Sequence, residues 1–571
     1  MNRPIIIDSW QKGIAPSPHL SLGNVVNCDI YSSIGALRIN PKTTLKSSTT
    51  VVGRPNWIVR NPLLTSEIYC LDDTGRLYYS DDSGGTWSNL SDVAVTGEAD
   101  DDLFTTVSAH GLEANDTIIF TGLSLPAGIT AGTTYHIIAG GLTATKFAVS
   151  TSQGGGAVNL ASDGTGTYRS AATASGNGLV YFEDHLIIAR DAVLDTYGPL
   201  SSSPKFNYNW QVIDSDVDWH PMIVSKNDGM VYGGAANYIF SIEETAGDIF
   251  EPLVGASFLF TQQALDLPSN YRVKCLSELG NNLMIGTWQG STYQDLKIAD
   301  IFPWDTASPS FGQPIELNEN GVNALITVKN TLYIFAGITG AIYASNGYSY
   351  IKVAQIPDYV APIATGGGYE YYPGSVINHK GRIFFGIGNG VATVGVFSLN
   401  LETGTICVEN LISTGRDGSL STIEIGALFS TGYVNYLIGW KDSYTTSYGI
   451  DSMSGDKYTS FSAYVESPLY KVGTTKRPTS ITEIEVNLAI PLATGEGVKL
   501  KYRRSLTGTW TTIKEYLYSG TGDSDTKIVG EVSSFNDTHT INDIVNIQLR
   551  VELTTGSASS TTPELLSVSL I

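Results

Sequence analysis

The sequence predicts an all-β protein: a β-propeller of about seven blades, six being the other count the pattern allows, with a small inserted β-domain and a C-terminal β-sandwich. Three observations predict it. Charged residues are only 15% of the 571-residue chain, against a usual quarter, while Gly numbers 60 and Tyr 31. Such a surface is built from Ser, Thr, Asn and Gly, and the β-branched and aromatic content suits pleated, half-buried strands. A strand–break–strand pattern recurs through the middle of the chain. Clean alternation of apolar and polar residues then marks several segments of its last fifth.

Taken in order, the first 50 residues are punctuated by Gly and Pro and barely periodic, as in "SWQKGIAPSPHLSLGNVVNCDIYSSIGALRINP". They are set apart as an N-terminal segment, residues 1–50. Next comes "SEIYCLDDTGRLYYSDDSGGTW", a strand from Ile68, a turn at Asp73-Thr74-Gly75 and a strand to Tyr79. Ser80, Asp82, Gly84, Thr86 and Trp87 follow in the order S-x-D-x-G-x-T-W. In such a turn an Asp carboxylate accepts backbone N–H groups, Gly supplies an unusual φ, and Trp buries its ring between strands.

Six further segments share the pattern and align at Ile187, Tyr232, Ile285, Ile334, Phe384 and Ile438, with spacings of 45, 53, 49, 50 and 54 residues. Ile68 lies 119 residues before Ile187, and leaving out residues 97–170 reduces that to 45. Seven units result, each too thin to bury both faces of its sheet unless packed radially against its neighbours. The breaks at Gly233-Gly234, Gly286, Gly337, Gly386-Ile387-Gly388 and Gly439 fit inner strands crowded near a central axis. The propeller is therefore expected over 51–96 and 171–460. A pair of β-sandwiches is the competing reading of evenly spaced strands.

Residues 97–170 hold five or six short strands with their own Gly, Asn-Asp and Pro turns, and are expected as an inserted β-domain. Residues 461–571 alternate cleanly in "SITEIEVNL", "VKLKYR" and "VNIQLRVEL", as one face of a sandwich requires.

Charge and cysteine content exclude several classes. Lys+Arg total 33 against Asp+Glu 55, a net −22 that repels phosphate backbones. Cys28, Cys70, Cys275 and Cys407 form no C-x-x-C pair and read as free buried thiols. Only Ile5–Ile7 are consecutively apolar at the N-terminus, too few for a signal sequence, and no later run approaches a membrane span. The chain is expected to be made in a cytoplasm and to stay soluble.

No catalytic or cofactor-binding residue is expected, and no cofactor. The seven histidines show no metal spacing, and neither a G-x-S-x-G elbow nor a P-loop occurs. Asp214, Asp216 and Asp218 would share one face of a strand and are the candidates for a calcium site, against the reading of a solvated acidic edge. The "EADDD" run at 98–102 reads as a charged linker. Tyr369, Tyr371 and Tyr372 in "GGGYEYYPGS" could stack a sugar if they lie on a surface loop.

The S-x-D-x-G-x-T-W order is that of the Asp box, and the segment resembles a turn found in sialidases and in many non-enzymatic propellers. A sialidase needs an arginine cluster, a Tyr nucleophile with a Glu partner and an acid/base Asp. Here the arginines are few and scattered and no early F-R-I-P-like segment occurs, so Ser80, Asp82, Gly84, Thr86 and Trp87 are read as a structural motif. The inserted segment resembles a small β-domain of tailed-bacteriophage structural proteins. The resemblance lies in His110-Gly111-Leu112, Asn115-Asp116, Leu125-Pro126-Ala127-Gly128, Gly132-Thr133-Thr134-Tyr135, Phe147-Ala148-Val149-Ser150 and Gly164-Thr165-Gly166-Thr167. "TTPELLSVSLI" and "ESPLYKVGTTKRPTSITEIEV" resemble C-terminal domains of phage tail proteins. Residues 1–50 resemble the N-terminal arm of their propeller-bearing members, which implies an arm that supplies a strand to close the ring or reaches a neighbouring subunit.

These resemblances imply a structural virion protein, most similar to the tail nozzle proteins of short-tailed phages and not an enzyme. The implied setting is the virion tail, as a ring of six copies that conducts and gates DNA without binding it. The implied partners are tail adaptor and tail fibre proteins. Two other classes remain: a receptor-binding or fibre-anchoring hub that touches host surface glycan, and a propeller glycosidase.

Overall fold

A computed structural model describes residues 5–8, 10, 22–31, 35–47, 50–171, 176–214, 219–245, 258–289, 298–356, 368–388, 395–413, 423–433, 435–443, 445–458, 461–520, 527–531, 541–555 and 561–571. Seven blades of four antiparallel strands surround one axis, six as separate sheets and one, blade 6, as part of a larger sheet. Blade 1 is Pro55–Arg60, Ile68–Asp72, Leu77–Ser80 and Ser88–Asn89. Blade 2 is Gly176–Phe182, His185–Arg190, Val193–Gly198 and Lys205–Val212. Blade 3 is Met222–Val224, Val231–Ala235, Tyr238–Glu244 and Phe258–Asp266. Blade 4 is Tyr271–Leu279, Asn282–Gln289, Ala299–Trp304 and Ile315–Leu317. Blade 5 is Val322–Val328, Thr331–Ala336, Ala341–Ser345 and Tyr350–Gln355. Blade 6 is Val376–His379, Arg382–Phe385, Val396–Leu399 and Ile406–Asn410. Blade 7 takes Ile423–Ser430, Tyr436–Asp442 and Ser447–Lys457 from the middle of the chain and its outermost strand, Pro41–Leu45, from the arm. Each innermost strand packs beside the next, and Ile423–Ser430 lies beside Pro55–Arg60, so the ring closes at seven.

The aligned positions Ile187, Tyr232, Ile285, Ile334, Phe384 and Ile438 all fall on second strands. The recurrent glycines were expected on inner strands near the axis. Several of them lie where a second strand receives the innermost strand of the following blade. A β-carbon at Gly234, Gly286, Gly386 or Gly439 would collide with Val273, Val322, Ile425 or Pro55 respectively. The repeat is thus a blade-to-blade packing signal.

The arm supplies strands to both the propeller and the sandwich. Besides closing blade 7, it runs Asn24–Val26 parallel to the outer strand of blade 6, with Val26 opposite Val408. That strand also pairs with Ala463–Glu466, and so carries the blade 6 sheet on into the sheet of Asn546–Thr554, Gly497–Arg503 and Thr511–Leu517. Ile5–Ile7 pairs with Leu565–Leu570, next to Glu483–Leu488 and Lys527–Glu531, in a second sheet. Alternating residues of both sheets, among them Val486, Leu500, Val551 and Val568, are buried with Val25 and Trp10 in a core that continues to Phe385 and Phe397 of blade 6. Burying this much apolar surface at the junction ties the sandwich to the propeller.

The inserted segment closes into a six-stranded antiparallel barrel, with Val93–Glu98 paired to both Leu103–Thr106 and Gly164–Ser170. It therefore begins at Val93, ahead of the expected 97. Closure removes its sheet edges. Phe104, Phe120, Phe147 and Tyr168 fill the barrel, and the same core reaches Phe206 and Tyr208 on the outer strand of blade 2.

Candidate functional site

Charged and aromatic side chains converge on the axis where the innermost strands begin. The ladders of blades 1, 4, 5 and 7 shift register there, around Asn56, Lys274, Asn323 and Gly426. Such bulges break the alternation and re-aim a side chain. The segment entering blade 6, Glu370–Ser375, lies across this mouth. The Tyr372 ring packs on Trp219, which enters blade 3 on the far side of the ring, with centroids 5.3 Å apart. Both residues are buried.

Two ion pairs flank that stack. Arg54 pairs with Glu424 of blade 7, donates to the Tyr372 hydroxyl at 2.8 Å and to Asn56 Oδ1 at 2.9 Å, and lies over the Tyr372 ring. Ser443 donates to Glu424 at 2.5 Å, and Lys441 stands 3.7 Å away. Burial works against the Glu424 charge, but Arg54, Ser443 and Lys441 outweigh it and hold the carboxyl below its ordinary value. On the other flank, buried Lys274 donates to Glu370 at 2.7 Å and to Asn323 Oδ1 at 3.0 Å. Asn323 in turn donates to the Gly337 carbonyl at 2.9 Å.

The arrangement joins blades 1, 3, 4, 5, 6 and 7 through one segment. Its charges are matched and its carboxylates are engaged by cations, so it is built to hold shape. Tyr369, Tyr371 and Tyr372, expected as a sugar platform if surface-borne, are all buried, which corrects that reading. Tyr371 packs between Phe335 and Phe385, and its hydroxyl has no partner among the described residues.

The Asp box forms the turn between the third and fourth strands of blade 1. Asp82 Oδ1 accepts from the amides of Gly85 and Thr86 at 2.7 and 2.8 Å and from the Ser80 hydroxyl at 2.8 Å, while Thr86 Oγ1 donates to Oδ2. Ser80 Oγ accepts from the Gly84 amide at 2.8 Å. The little burial at Asp82 opposes its charge, and these donors outweigh it and lower the carboxyl's pKa. Trp87 Nε1 donates to the Gly84 carbonyl, and its ring joins Ile58, Cys70 and Tyr78 of blade 1 with Ala427, Leu437 and Ile450 of blade 7. The box sits at the closing seam, with its carboxylate occupied by its own turn.

Asp214 is exposed, whereas Asp216 and Asp218 lie outside the described residues. No group of three metal-ligating side chains occurs among the described residues. His220 is fully buried, with its ring nitrogens 3.0 and 2.6 Å from the carbonyl oxygens of Gly234 and Asp191. All four cysteines are buried and unpaired, and burial pushes each thiol's pKa up.

Sequence reading missed Arg54, Trp219, Lys274, Asn323, Glu370 and Glu424 as a group. They are scattered over some 370 residues, and the bulges that aim several of them have no signature in a single chain.

No family model and no curated protein matches the chain. Among solved structures, it is similar to the β-propeller domain of Cps50 (Swd1) from Myceliophteria thermophila, at 8% identity over 72% of this chain and all of that one, with a TM-score of 0.37. The Dos1 propeller is similar at 10% identity over 72% of this chain and 94% of that one, with a TM-score of 0.36. An exo-β-1,3-galactanase of Phanerochaete chrysosporium covers 94% of this chain at 10% identity, using all of its own, with a TM-score of 0.22. Scores this low carry no functional weight, and the strand pairing itself defines this chain as a seven-bladed β-propeller with an inserted barrel and a C-terminal sandwich.

Proposed function

We propose that this chain is a structural protein of a tailed-phage virion, the distal tail nozzle, assembled as a ring of six copies that conducts and gates DNA during ejection. The observation that carries the reading is the inserted module. Its phage-like motifs fall in a closed barrel whose aromatic core runs on into blades 1 and 2. The axial network supports a role without bond making or breaking, because its carboxylates are engaged by cations and its aromatics are buried against each other. With the propeller axis crossed by Tyr372 and Trp219, DNA would pass between copies. The net charge of −22 suits a wall that does not hold its cargo.

Native mass measurement and electron microscopy of the full chain test this. A six-membered ring that fails to retard duplex DNA at physiological salt is the expected result. A stable monomer would overturn it, and a trimer seated at a fibre end would replace it with the fibre-anchoring hub. Hydrolysis of a polysaccharide, abolished by substitution of a carboxylate, would overturn the non-catalytic reading.

A further inference from the structure

A cleft of about 520 Å³ opens between blades 5 and 6, at the end of the blades opposite the axial network. Its walls are hairpin turns: Lys329 between the first two strands of blade 5, Lys380 and Gly381 between the first two of blade 6, and Asn400–Glu402 between the third and fourth. Tyr31 of the arm and Tyr333 of blade 5 add aromatic surface, and Thr331 a hydroxyl. The volume falls within the range of small-molecule sites, roughly 300–1,000 Å³.

The charge here runs against that of the molecule. Lys329 and Lys380 are exposed, and neither has a hydrogen bond or ion pair with a described residue. Arg382, only 9% exposed, also lines the cleft. It uses Nη1 alone on Glu409 and Ser398, so Nε and Nη2 have no bonded partner among the described residues. Glu409 itself is saturated by Arg382, Ser398, Asn40 and Cys407. Glu402 at the rim and Asp29 near Arg382 are the other acidic groups nearby. A buried guanidinium with free N–H groups, flanked by two unpaired ammonium groups, is a receptor for an oxyanion. Aromatic, amide and hydroxyl groups beside it suit a polyhydroxylated ring.

We propose that this cleft binds an acidic sugar, its carboxylate taken by Lys329, Lys380 and the free edge of Arg382, and its ring lying against the tyrosines and Asn400. The site goes beyond the virion reading and does not depend on it, since ring assembly is measured separately. Calorimetric titration of the full chain at low salt, with N-acetylneuraminate, glucuronate, glucose 6-phosphate, inorganic phosphate and glucose, provides the test. Millimolar or tighter binding of at least one of the two carboxylated sugars is expected, with glucose silent. Lys329→Ala/Lys380→Ala, which alters only exposed turn residues, should weaken that binding at least tenfold and leave the melting temperature unchanged. Binding that survives this double substitution, or no binding of either carboxylated sugar, overturns the site. Equal affinity for inorganic phosphate reduces it to a bare anion pocket and overturns the sugar assignment, and preference for glucose 6-phosphate over both carboxylated sugars overturns the carboxylate.

Discussion

The rings of Tyr372 and Trp219 meet across the propeller axis, 5.3 Å between centroids, and join two blades that are not neighbours. An aromatic pair of this kind contributes beyond the area it buries. The Tyr372 hydroxyl also accepts from Arg54 and donates to Glu424 at 3.3 Å. Replacing Trp219 with Ala should therefore cost about 3–5 kcal/mol by opening a cavity at the axis. Denaturant unfolding measures it, and a loss under 1 kcal/mol would show that the stack is idle.

The neighbouring tyrosines should respond with opposite sign. Tyr372→Phe strands Arg54 and Glu424 without their shared hydroxyl and should destabilise by about 1–3 kcal/mol. Tyr371→Phe removes a buried hydroxyl that has no partner among the described residues, and should be neutral or stabilise by up to about 1 kcal/mol. The two variants melted side by side decide the point, and equal losses would refute it.

At the closing seam the Asp box acts through packing. Gly84 has φ +91°, and a β-carbon there would come within 2.8 Å of Leu437 Cδ1 in blade 7. Gly84→Ala therefore strains the turn and pushes the seam apart, and Trp87→Ala empties the core behind it, at about 3–5 kcal/mol. Asp82→Ala unpairs only turn amides, at about 1–3 kcal/mol. Melting temperatures should rank Trp87→Ala below Asp82→Ala, and the reverse order would make the carboxylate more than a turn organiser.

Much of this was legible because it is local. The order from Ser80 to Trp87 is self-contained, and the period carried by Ile187 through Ile438 follows one strand per blade. The contacts that decide the rest are long-range. Nothing in "PKTTL" announces that Pro41–Leu45 will pair with Ser447–Lys457, some 400 residues away. Tyr369, Tyr371 and Tyr372 sit in a Gly-rich segment that reads as a loop, and only long-range packing buries Tyr369 and Tyr371 against blades 5 and 6 and brings Tyr372 to the axis. The recurrent glycines were legible as close approaches, but which strand approached required the blade order.

Loss of the arm should be more damaging than its weak periodicity suggests. Removing residues 1–46 takes the outer strand from blade 7, leaving Ser447–Lys457 as an open edge, and strips strands from both sandwich sheets. Such edges template aggregation. The truncated chain should be insoluble, and co-expression of the 1–46 peptide should restore soluble protein. A soluble, monomeric truncation with an unchanged melting temperature would show the arm to be dispensable.

Two carboxyls should bend the pH dependence of stability in opposite directions. In the barrel, burial raises Asp116 from an ordinary 3.8 to about 6, with Glu113 and Asp195 adding to the rise and the Glu113 amide and Asn209 opposing it. The folded state then holds a proton that the unfolded chain has already released between about pH 4 and 6. Stability from this group is complete below pH 3.8 and is lost as pH rises through 6. Asp116→Asn should thus gain on the order of 3 kcal/mol at pH 7 relative to its effect at pH 3.5, since one pKa unit is about 1.4 kcal/mol. Glu424 has the reverse sign: its folded pKa lies below the ordinary 4.5, so its contribution is present above that value and lost on acidification. Glu424→Gln should therefore destabilise at neutral pH and flatten the acid limb. Unfolding free energies of the three proteins at pH 3.5, 5 and 7 separate the effects, and parallel profiles would show that neither environment shifts its carboxyl.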